Sequence, residues 1–224
     1  MCGRFTQPGD IEIIQRFREQ YGLDATPGPG GGSPDEPPPP HEAAVARPYG
    51  NVWVFARDKE GELKLTTMYW QLIHYWCGEF KSDYTAFNTR LESLGKRHNI
   101  ELLAHRRCVF PATSFFETRK DAAGHNVKPR EAYEFMRRDR GLIPLGGIYT
   151  VWRNPADKSD YRLSCSIITL EPDEIVGEVH PRMPFILSDN AVATWLDRRE
   201  TFTKPLRAMI RPYPSELLVR EREI

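Results

Sequence analysis

The chain has 224 residues, of which 40% are hydrophobic and 28% are charged, a balance that supports a buried core and argues against disorder of the whole chain. Its 31 basic and 31 acidic residues cancel, so any contact with nucleic acid must come from a local patch rather than from a global field. No apolar run approaches the roughly 18 residues of a membrane span, and the N-terminus lacks the apolar segment of a secretory signal. We therefore expect a cytoplasmic protein that neither enters a membrane nor is secreted.

The first predicted element is an amphipathic helix over Asp10–Tyr21, with Gly22 as its stop signal. Its apolar residues recur at helical spacing on one face: Ile13, Ile14, Phe17 and Tyr21.

A segment rich in proline and glycine follows, over residues 26–40. It contains seven prolines and four glycines, a composition that cannot pack a core and predicts a mobile surface loop. Because only about 25 residues precede it, too few for a stable domain, we interpret it as an insertion in a single domain over residues 1–224.

From residue 51 onward the sequence favours strands. Residues 52–55 and 63–70, joined by the turn at 58–61, predict a β-hairpin. Short helices are predicted at 99–105 and after Ser188, which we expect to cap a helix containing Trp195. Further strands are predicted at 108–110, 114–118, 132–136, 142–152 and 162–170. The predicted fold class is α+β: one β-rich domain with a curled, barrel-like sheet and short flanking helices.

The four cysteines lie far apart and form no CxxC pair, which excludes a zinc ribbon and a CxxC redox centre and argues against a disulfide framework. They are Cys2, Cys77, Cys108 and Cys165. This usage is typical of a reducing compartment, and we expect neither a metal nor a cofactor.

Cys2 has a chemistry that no internal cysteine shares. Once Met1 is removed, Cys2 presents an α-amine, with a pKa of about 7.7–8.0, on the carbon next to the one that carries its thiol. The amine can form a Schiff base with an aldehyde, and the thiol can then close a five-membered thiazolidine ring. While Met1 is attached, the amine is blocked. The alternative is that Cys2 is an incidental small residue after Met1.

Three internal segments carry further candidate site residues. Asn88 and Arg90 lie two residues apart and would project to one side of an extended segment, to orient an amine and to grip a phosphate. Glu117 follows two aromatic residues, which indicates a partly buried carboxyl group with a raised pKa, suited to acid–base catalysis. Prolines next to His180 and Arg182 fix the local backbone, and His180 could shuttle a proton there. The alternatives are a polar loop, a solvated edge-strand carboxylate and a structured turn, respectively.

Taken in order, these segments form a specific pattern. Met-Cys-Gly-Arg-Phe stands at the start, Asn-x-Arg-x-Glu at 88–92, Arg-Cys-x-x-Pro-Ala…Phe-x-Glu at 107–117 and His-x-Arg-Met-Pro at 180–184. The set resembles the SOS response-associated peptidase (SRAP) family over nearly the whole chain. The resemblance implies a curled mixed sheet and a protein that cross-links abasic sites in single-stranded DNA through a thiazolidine on the mature N-terminal cysteine.

The resemblance also implies roles for individual residues. Cys2 would be the nucleophile, positioned by Asn88, with Glu117 as general acid and base and His180 assisting proton transfer at the sugar oxygen. The family is also thought to remove its own initiator methionine. The residues implied in DNA binding are Arg4, Arg90 and Arg182, on the backbone phosphates, and Trp70, by stacking.

The sequence departs from the family pattern at three places. The segment 69–74 reads Tyr-Trp-Gln-Leu-Ile-His instead of Arg-Trp-Gly-Leu-Ile-Pro. Thr118 follows Glu117 where the family usually has tryptophan, and no clear Tyr-Asn-x-Ala-Pro stretch is present. These departures concern DNA contacts more than the residues implied in catalysis.

Two other functions fit the same residues. Cys2 with His180 or Glu117 could serve a cysteine peptidase or amidohydrolase that turns over peptides. A plain single-stranded DNA-binding module would need no processed N-terminus and would show no preference for abasic DNA. The expected partner is single-stranded DNA with abasic sites, bound by a monomer.

Overall fold

Strands and a few short helices make up the computed structural model, which describes residues 2–121 and 123–223. No helix in these two ranges combines the length and apolar character that are required to cross a membrane. The α-helices are α1 (Asp10–Tyr21), α2 (Arg97–His105), α3 (Glu174–Gly177), α4 (Val192–Leu196) and α5 (Thr203–Met209). The strands are β1 (Phe5–Gln7), β2 (Thr26–Pro27), β3 (Ala44–Ala46), β4 (Asn51–Arg57), β5 (Leu63–Tyr69), β6 (Asn88–Arg90), β7 (Arg107–Ala112), β8 (Ser114–Thr118), β9 (Ala132–Arg137), β10 (Ile143–Arg153), β11 (Tyr161–Leu170), β12 (Met183–Pro184) and β13 (Leu218–Arg222).

Five of these strands close into a barrel. In the order β11, β10, β7, β4, β5, each strand is antiparallel to the next. β5 returns to β11 through a parallel pairing of Tyr69 with Ser164, which closes the sheet. β6 also runs parallel to β11. The closed mixed barrel with short helices confirms the predicted α+β class.

The predicted hairpin is formed by β4 and β5, which pair from Asn51 with Tyr69 to Arg57 with Leu63. In the turn, Gly61 has a φ of 89°, a conformation that favours glycine because it has no Cβ. The Asp58 carboxylate accepts a hydrogen bond of 2.8 Å from the backbone N–H of Glu62.

A second sheet, in the order β13, β9, β8, β1, β3, places the N-terminal strand next to the barrel. Phe5 of β1 pairs with Phe115 of β8 on one side and with Ala46 of β3 on the other. One cluster of buried apolar side chains includes residues of both sheets, among them Phe5, Phe110 and Phe135. The first residues of the chain are therefore part of the core.

The helix α1 has the bounds that the sequence predicts. Ile13 and Phe17 are buried, and Phe17 stacks on Phe55 of the barrel with ring centroids 3.8 Å apart. Gly22 ends the helix in the left-handed conformation, and its N–H donates to the carbonyl of Arg18.

The segment 26–40 lies on the surface of the barrel and is hydrogen-bonded to it over part of its length; its mobility stays a prediction. β2 pairs with β5, and the Gly31 carbonyl accepts a hydrogen bond from the N–H of Leu163. The Asn51 side chain donates to the carbonyls of Ser33 and Glu36, both at 2.9 Å. The segment is thus held by hydrogen bonds to its backbone rather than by apolar side chains packed into the core.

Ser188 stands at the predicted N-cap position, before a 3₁₀ turn, Asp189–Ala191, that leads into α4. The expected side-chain cap is absent, because the Ser188 side chain makes no cap hydrogen bond. Its hydroxyl lies 2.7 Å from Oδ1 of Asn190 instead.

Arg107 joins the barrel to the helices around it. Its buried guanidinium donates hydrogen bonds of 2.5–2.9 Å to five backbone carbonyls, those of Leu103, Ala104, Trp195, Asp197 and Glu200. Carbonyl oxygens at helix ends have no partner within the helix, so one side chain here satisfies acceptors of α2, of α4 and of the turn that follows α4.

We expect Arg107→Met to destabilise the fold by about 3 kcal/mol or more, because it leaves several carbonyls without a donor. Urea unfolding monitored by circular dichroism measures the change. The control is Arg199→Met, since Arg199 is 91% exposed. Equal unfolding midpoints for the two variants would contradict this role of Arg107.

Candidate active site

Cys2 is fully buried at the start of the second sheet. The carbonyl of Arg4 accepts a hydrogen bond from the N–H of Phe116 on β8, at 3.0 Å, which fixes the segment just before β1. The same carbonyl lies 3.7 Å from the Cys2 thiol, which donates to it. Burial raises the pKa of this thiol well above its usual value, and the negative charge of Glu117 adds to the increase. The thiol is therefore protonated at neutral pH.

Asn88 holds Cys2 from the barrel side. It lies on β6, which is extended as the sequence suggested and pairs with β11 at Ile167. Its Nδ2 donates a hydrogen bond of 2.8 Å to the backbone carbonyl of Cys2. Its buried Oδ1 has no hydrogen-bond partner within residues 2–121 and 123–223, so it remains an acceptor for an amine or a ligand.

Glu117 and His180 form a buried pair beside this segment. Oε2 of Glu117 lies 3.7 Å from Nε2 of His180, and the two side chains are only 2% and 5% exposed. Burial raises the pKa of Glu117 to about 7 and lowers that of His180 to about 4. At neutral pH His180 is therefore uncharged and the pair is not a salt bridge. A carboxyl group with a pKa near 7 is divided between its acid and base forms, as general acid–base catalysis requires.

The His180 ring is oriented by its neighbour Arg182. Nδ1 of His180 lies 3.0 Å from the backbone nitrogen and 2.9 Å from the backbone oxygen of Arg182. Because Nδ1 contacts the backbone of Arg182, the ring is held with its other nitrogen, Nε2, towards Glu117.

A cleft of about 280 Å³ opens over Gly3, Glu117 and His180. Four cationic side chains line it: Arg4, Arg47, Lys120 and Arg130. Such a cleft attracts anions such as DNA phosphates, although the chain as a whole is neutral. Among the residues described, no three His, Cys, Asp or Glu side chains come close enough to hold a metal ion.

Sequence reasoning missed Arg47, Lys120 and Arg130. Lys120 lies just after β8 and bonds through its N–H to the carbonyl of Val179, next to His180. Its charge lowers the pKa values of both Glu117 and His180. A signal was present for two of the three, because Lys120 and Arg130 flank the loop that follows the predicted Glu117 strand.

The arginines that the sequence analysis placed on DNA phosphates differ in their partners. Arg4 forms a double hydrogen bond with Glu223, at 2.8 and 2.6 Å. Arg182 forms one with Glu92, at 2.7 and 3.0 Å. Arg90 is exposed, and no carboxylate of the described residues lies within 4.0 Å of its guanidinium. The guanidinium of Arg90 is thus accessible to an anion. Arg4 and Arg182 could bind one only by releasing the carboxylates of Glu223 and Glu92 or by binding both groups at once.

The position of Trp70 corrects the expectation that it stacks on DNA. Trp70 is completely buried, and its indole N–H donates to the carbonyl of Phe87 at 2.8 Å. Its ring packs against Phe5, with centroids 4.9 Å apart, and against Phe110. Because no face of the ring is open to a base, we remove Trp70 from the candidate DNA-binding residues.

Comparisons with known proteins identify relatives along the whole chain. Residues 1–222 match the family described as SOS response associated peptidase (SRAP). The chain is 29% identical over 217 residues to the abasic site processing protein YoqW of Bacillus subtilis, covering 96% of this chain and 89% of YoqW. It is 25% identical over 244 residues to the abasic site processing protein HMCES of Xenopus tropicalis, covering 95% and 70% of the two chains.

Solved structures share the fold. A protein from Bordetella bronchiseptica superposes with a TM-score of 0.75 at 21% identity, covering 100% of both chains. A protein from Bacteroides thetaiotaomicron gives a TM-score of 0.75 at 18% identity, covering 99% of this chain and 91% of its own.

The raised pKa of Glu117 predicts a pH-dependent stability. Because the pKa is about 7 in the folded protein and 4.5 ordinarily, the folded state binds the proton more tightly. The stabilisation is complete below pH 4.5 and is lost as the pH rises through 7. Relative to Glu117→Gln, the wild type should lose about 2–3 kcal/mol of unfolding free energy between pH 5 and 8.

Urea unfolding of both proteins at the two pH values tests this. Glu171→Gln removes an exposed carboxylate and serves as the control. A difference between wild type and Glu117→Gln that does not change with pH would show that the carboxyl group titrates in its ordinary range.

Proposed function

Because the chain belongs to the SOS response-associated peptidase (SRAP) family, we propose that it captures abasic sites in single-stranded DNA covalently through Cys2, after Met1 has been removed. Relatives that align over most of this chain are named abasic site processing proteins, which supports abasic DNA as the substrate. The observation that carries the proposal is the burial of Cys2 next to a cleft that is lined by Glu117, whose pKa is about 7, and by four cations.

In the proposed reaction the α-amine of Cys2 attacks the aldehyde carbon of the ring-opened abasic sugar. Loss of one water from the resulting carbinolamine gives a Schiff base, and protonated Glu117 supplies the proton to the departing hydroxyl group. His180 is uncharged and assists proton transfer at the sugar oxygen that opens the ring. The base is already missing at such a site, so no base has to be flipped out of a stack.

The thiol completes the capture. Ionised Glu117 takes the proton of the Cys2 thiol as sulfur bonds to the imine carbon, and the imine nitrogen gains a proton. The product is a five-membered thiazolidine ring. It contains the nitrogen, Cα, Cβ and Sγ of Cys2 and the former aldehyde carbon of the sugar. Asn88 keeps the backbone of Cys2 in place through the 2.8 Å hydrogen bond to its carbonyl.

Removal of Met1 is part of the proposal, and we assign it to the same site. Hydrolysis of the bond before Cys2 needs a base to activate water, and Glu117 is the titratable carboxyl group that influences Cys2. A peptidase that turns over other peptides is less well supported. Such an enzyme needs a thiolate, whereas burial raises the pKa of Cys2.

The first test measures intact mass before and after incubation with an oligonucleotide that carries one abasic site. We expect protein that lacks Met1 to gain the oligonucleotide mass in a heat-stable adduct. Cys2→Ala and Cys2→Ser both keep the α-amine but lose the thiol that closes the ring. Each should therefore form no heat-stable adduct and only a reversible Schiff base that borohydride traps.

Two outcomes would contradict the assignment. An adduct of undiminished yield with Cys2→Ala would remove the thiazolidine chemistry. Equal binding of abasic and intact strands, with no adduct from protein that lacks Met1, would favour the plain DNA-binding module.

Substitution of Glu117 should affect the rate of cross-linking, whereas substitution of Arg90 should affect the affinity for DNA. Glu117→Ala should slow cross-linking by about 10²-fold or more, with little change in DNA affinity, because its side chain moves protons. Arg90→Ala should weaken binding and reduce the slope of log affinity against log salt by about 1. Cross-linking time courses, quenched at intervals, measure the rate. Fluorescence anisotropy at several salt concentrations measures the affinity and its salt dependence.

The matched control for Arg90 is Arg18→Ala, since Arg18 is 70% exposed on α1. A salt slope that Arg90→Ala leaves unchanged would show that Arg90 contacts no phosphate.

A further inference from the structure

A second cavity, of about 870 Å³, lies towards one end of the barrel and shares no lining residue with the cleft over Glu117 and His180. All five barrel strands contribute to it: β4 by its last residues, β5 along most of its length, β10 by its second half, β11 by its first residues, and β7 through Arg106, which precedes it. None of the proposed catalytic residues lines this cavity.

The cavity concentrates positive charge in a neutral chain. Seven cationic side chains line it, against the two carboxylates Asp58 and Glu60. The cations are Arg57, Lys59, Lys64, Arg106, Arg153, Lys158 and Arg198. Since the whole chain has a net charge of zero, this excess of five charges is a local feature of one end of the barrel.

The arginines of this cavity are not neutralised by carboxylates. Arg57 donates to the carbonyl of Gly61 at 2.7 Å, and Arg198 donates to the carbonyl of Asp58. Arg106 lies over the ring of Tyr149, 5.6 Å from its centroid. Within the described part of the chain, no carboxylate comes within 4.0 Å of any of these three guanidinium groups.

Half-buried like charges repel one another unless an anion joins them, and the repulsion is stronger where water is partly excluded. Guanidinium groups match phosphate oxygens in pairs of parallel hydrogen bonds. A cavity of this volume accommodates a ligand of the size of a nucleotide. Charge and size thus both favour a phosphate ester.

An aromatic platform borders the same cavity. Tyr75 lines it and is 62% exposed. Its ring stands nearly perpendicular to that of Trp76, with centroids 4.9 Å apart, so the two rings do not stack on each other. Exposed rings of this kind bind nucleobases by stacking, with little regard to sequence.

We propose that this cavity is a second binding site, separate from the Cys2 site, for a nucleoside phosphate. Arg57, Arg106 and Arg198 hold the phosphate, and Tyr75 stacks on the base. The group that binds is either a free nucleotide or a nucleotide within a DNA strand, which present the same chemistry.

Calorimetric titration of the protein with deoxyadenosine monophosphate, inorganic pyrophosphate and an unmodified single-stranded DNA 12-mer tests the proposal. Arg106→Gln should weaken binding roughly tenfold for the probe that occupies the cavity. Arg153→Gln, at the rim, is a second variant that disturbs no buried contact, because Arg153 is exposed. Arg211→Gln, an exposed arginine outside the cavity, is the matched control and should bind as the wild type does.

Tyr75→Ala distinguishes stacking on the base from electrostatic binding of the phosphate. It should weaken binding of deoxyadenosine monophosphate and leave pyrophosphate binding unchanged. Cross-linking of a short abasic oligonucleotide should keep its wild-type yield in all these variants, so failure at the cavity is distinguishable from failure at Cys2.

The probes also identify the source of the nucleotide. Mononucleotide binding that Arg106→Gln weakens, with DNA affinity unchanged, assigns the cavity to a free nucleotide. Loss of affinity for the 12-mer in the same variant assigns it to a DNA strand. The proposal is overturned if wild type binds neither mononucleotide nor pyrophosphate up to about 5 mM and Arg106→Gln leaves DNA affinity unchanged.

Discussion

The arrangement of the candidate active site depends on the pairing of β1 between β3 and β8. Chain termini usually fray because few contacts hold them. Here Phe5 is paired on both sides and buried, so the residue three positions before it has little freedom. Cys2 is then fixed through its carbonyl by Asn88. The proposed nucleophile thereby gains the positional precision that proximity catalysis needs, although it lies next to the start of the chain.

Burial acts in opposite directions on the two groups that face each other in this site. It raises the pKa of Glu117 to about 7 and lowers that of His180 to about 4, because each loses hydration of its charged form. Glu117 therefore exchanges its proton near neutral pH, whereas His180 stays uncharged, and the two form no stable ion pair. The same burial keeps the Cys2 thiol protonated. In the proposed reaction this favours an order in which the amine reacts first and the thiol only after Glu117 has become a base.

Local signals predicted the local structure well. The helix α1 and the β4–β5 hairpin follow from side-chain periodicity and from glycines at positions of positive φ. For residues 26–40, composition predicted a surface segment but not its hydrogen bonds to the barrel, because the partners that bind it, such as Asn51, lie outside it. The burial of Trp70 was equally hidden, since it results from packing against Phe5 and Phe110.

The motifs pointed to Cys2, Glu117 and His180, and the two aromatic residues before Glu117 predicted its raised pKa. The separations of the three groups and the protonation of Cys2 and His180 could not be predicted, because they depend on how the folded chain packs and how much water it excludes. The partners of the arginines were hidden for a different reason. Glu223 stands 219 residues from Arg4, and Glu92 stands 90 residues from Arg182, so no local pattern joins either pair. Which arginines remain available to a phosphate is thus decided by tertiary structure, and among these three it is Arg90.

A net charge of zero conceals two cationic regions, the cleft over Glu117 and the second cavity, which share no lining residue. Exposed charges further apart than the Debye length, about 8 Å at physiological ionic strength, are largely screened from one another. Since the neutral chain provides no long-range steering, any attraction for phosphate must come from the charges within each region. An anion bound in the second cavity touches none of the candidate catalytic residues. It can therefore act on Cys2 only through the barrel strands or through a DNA strand that reaches both regions.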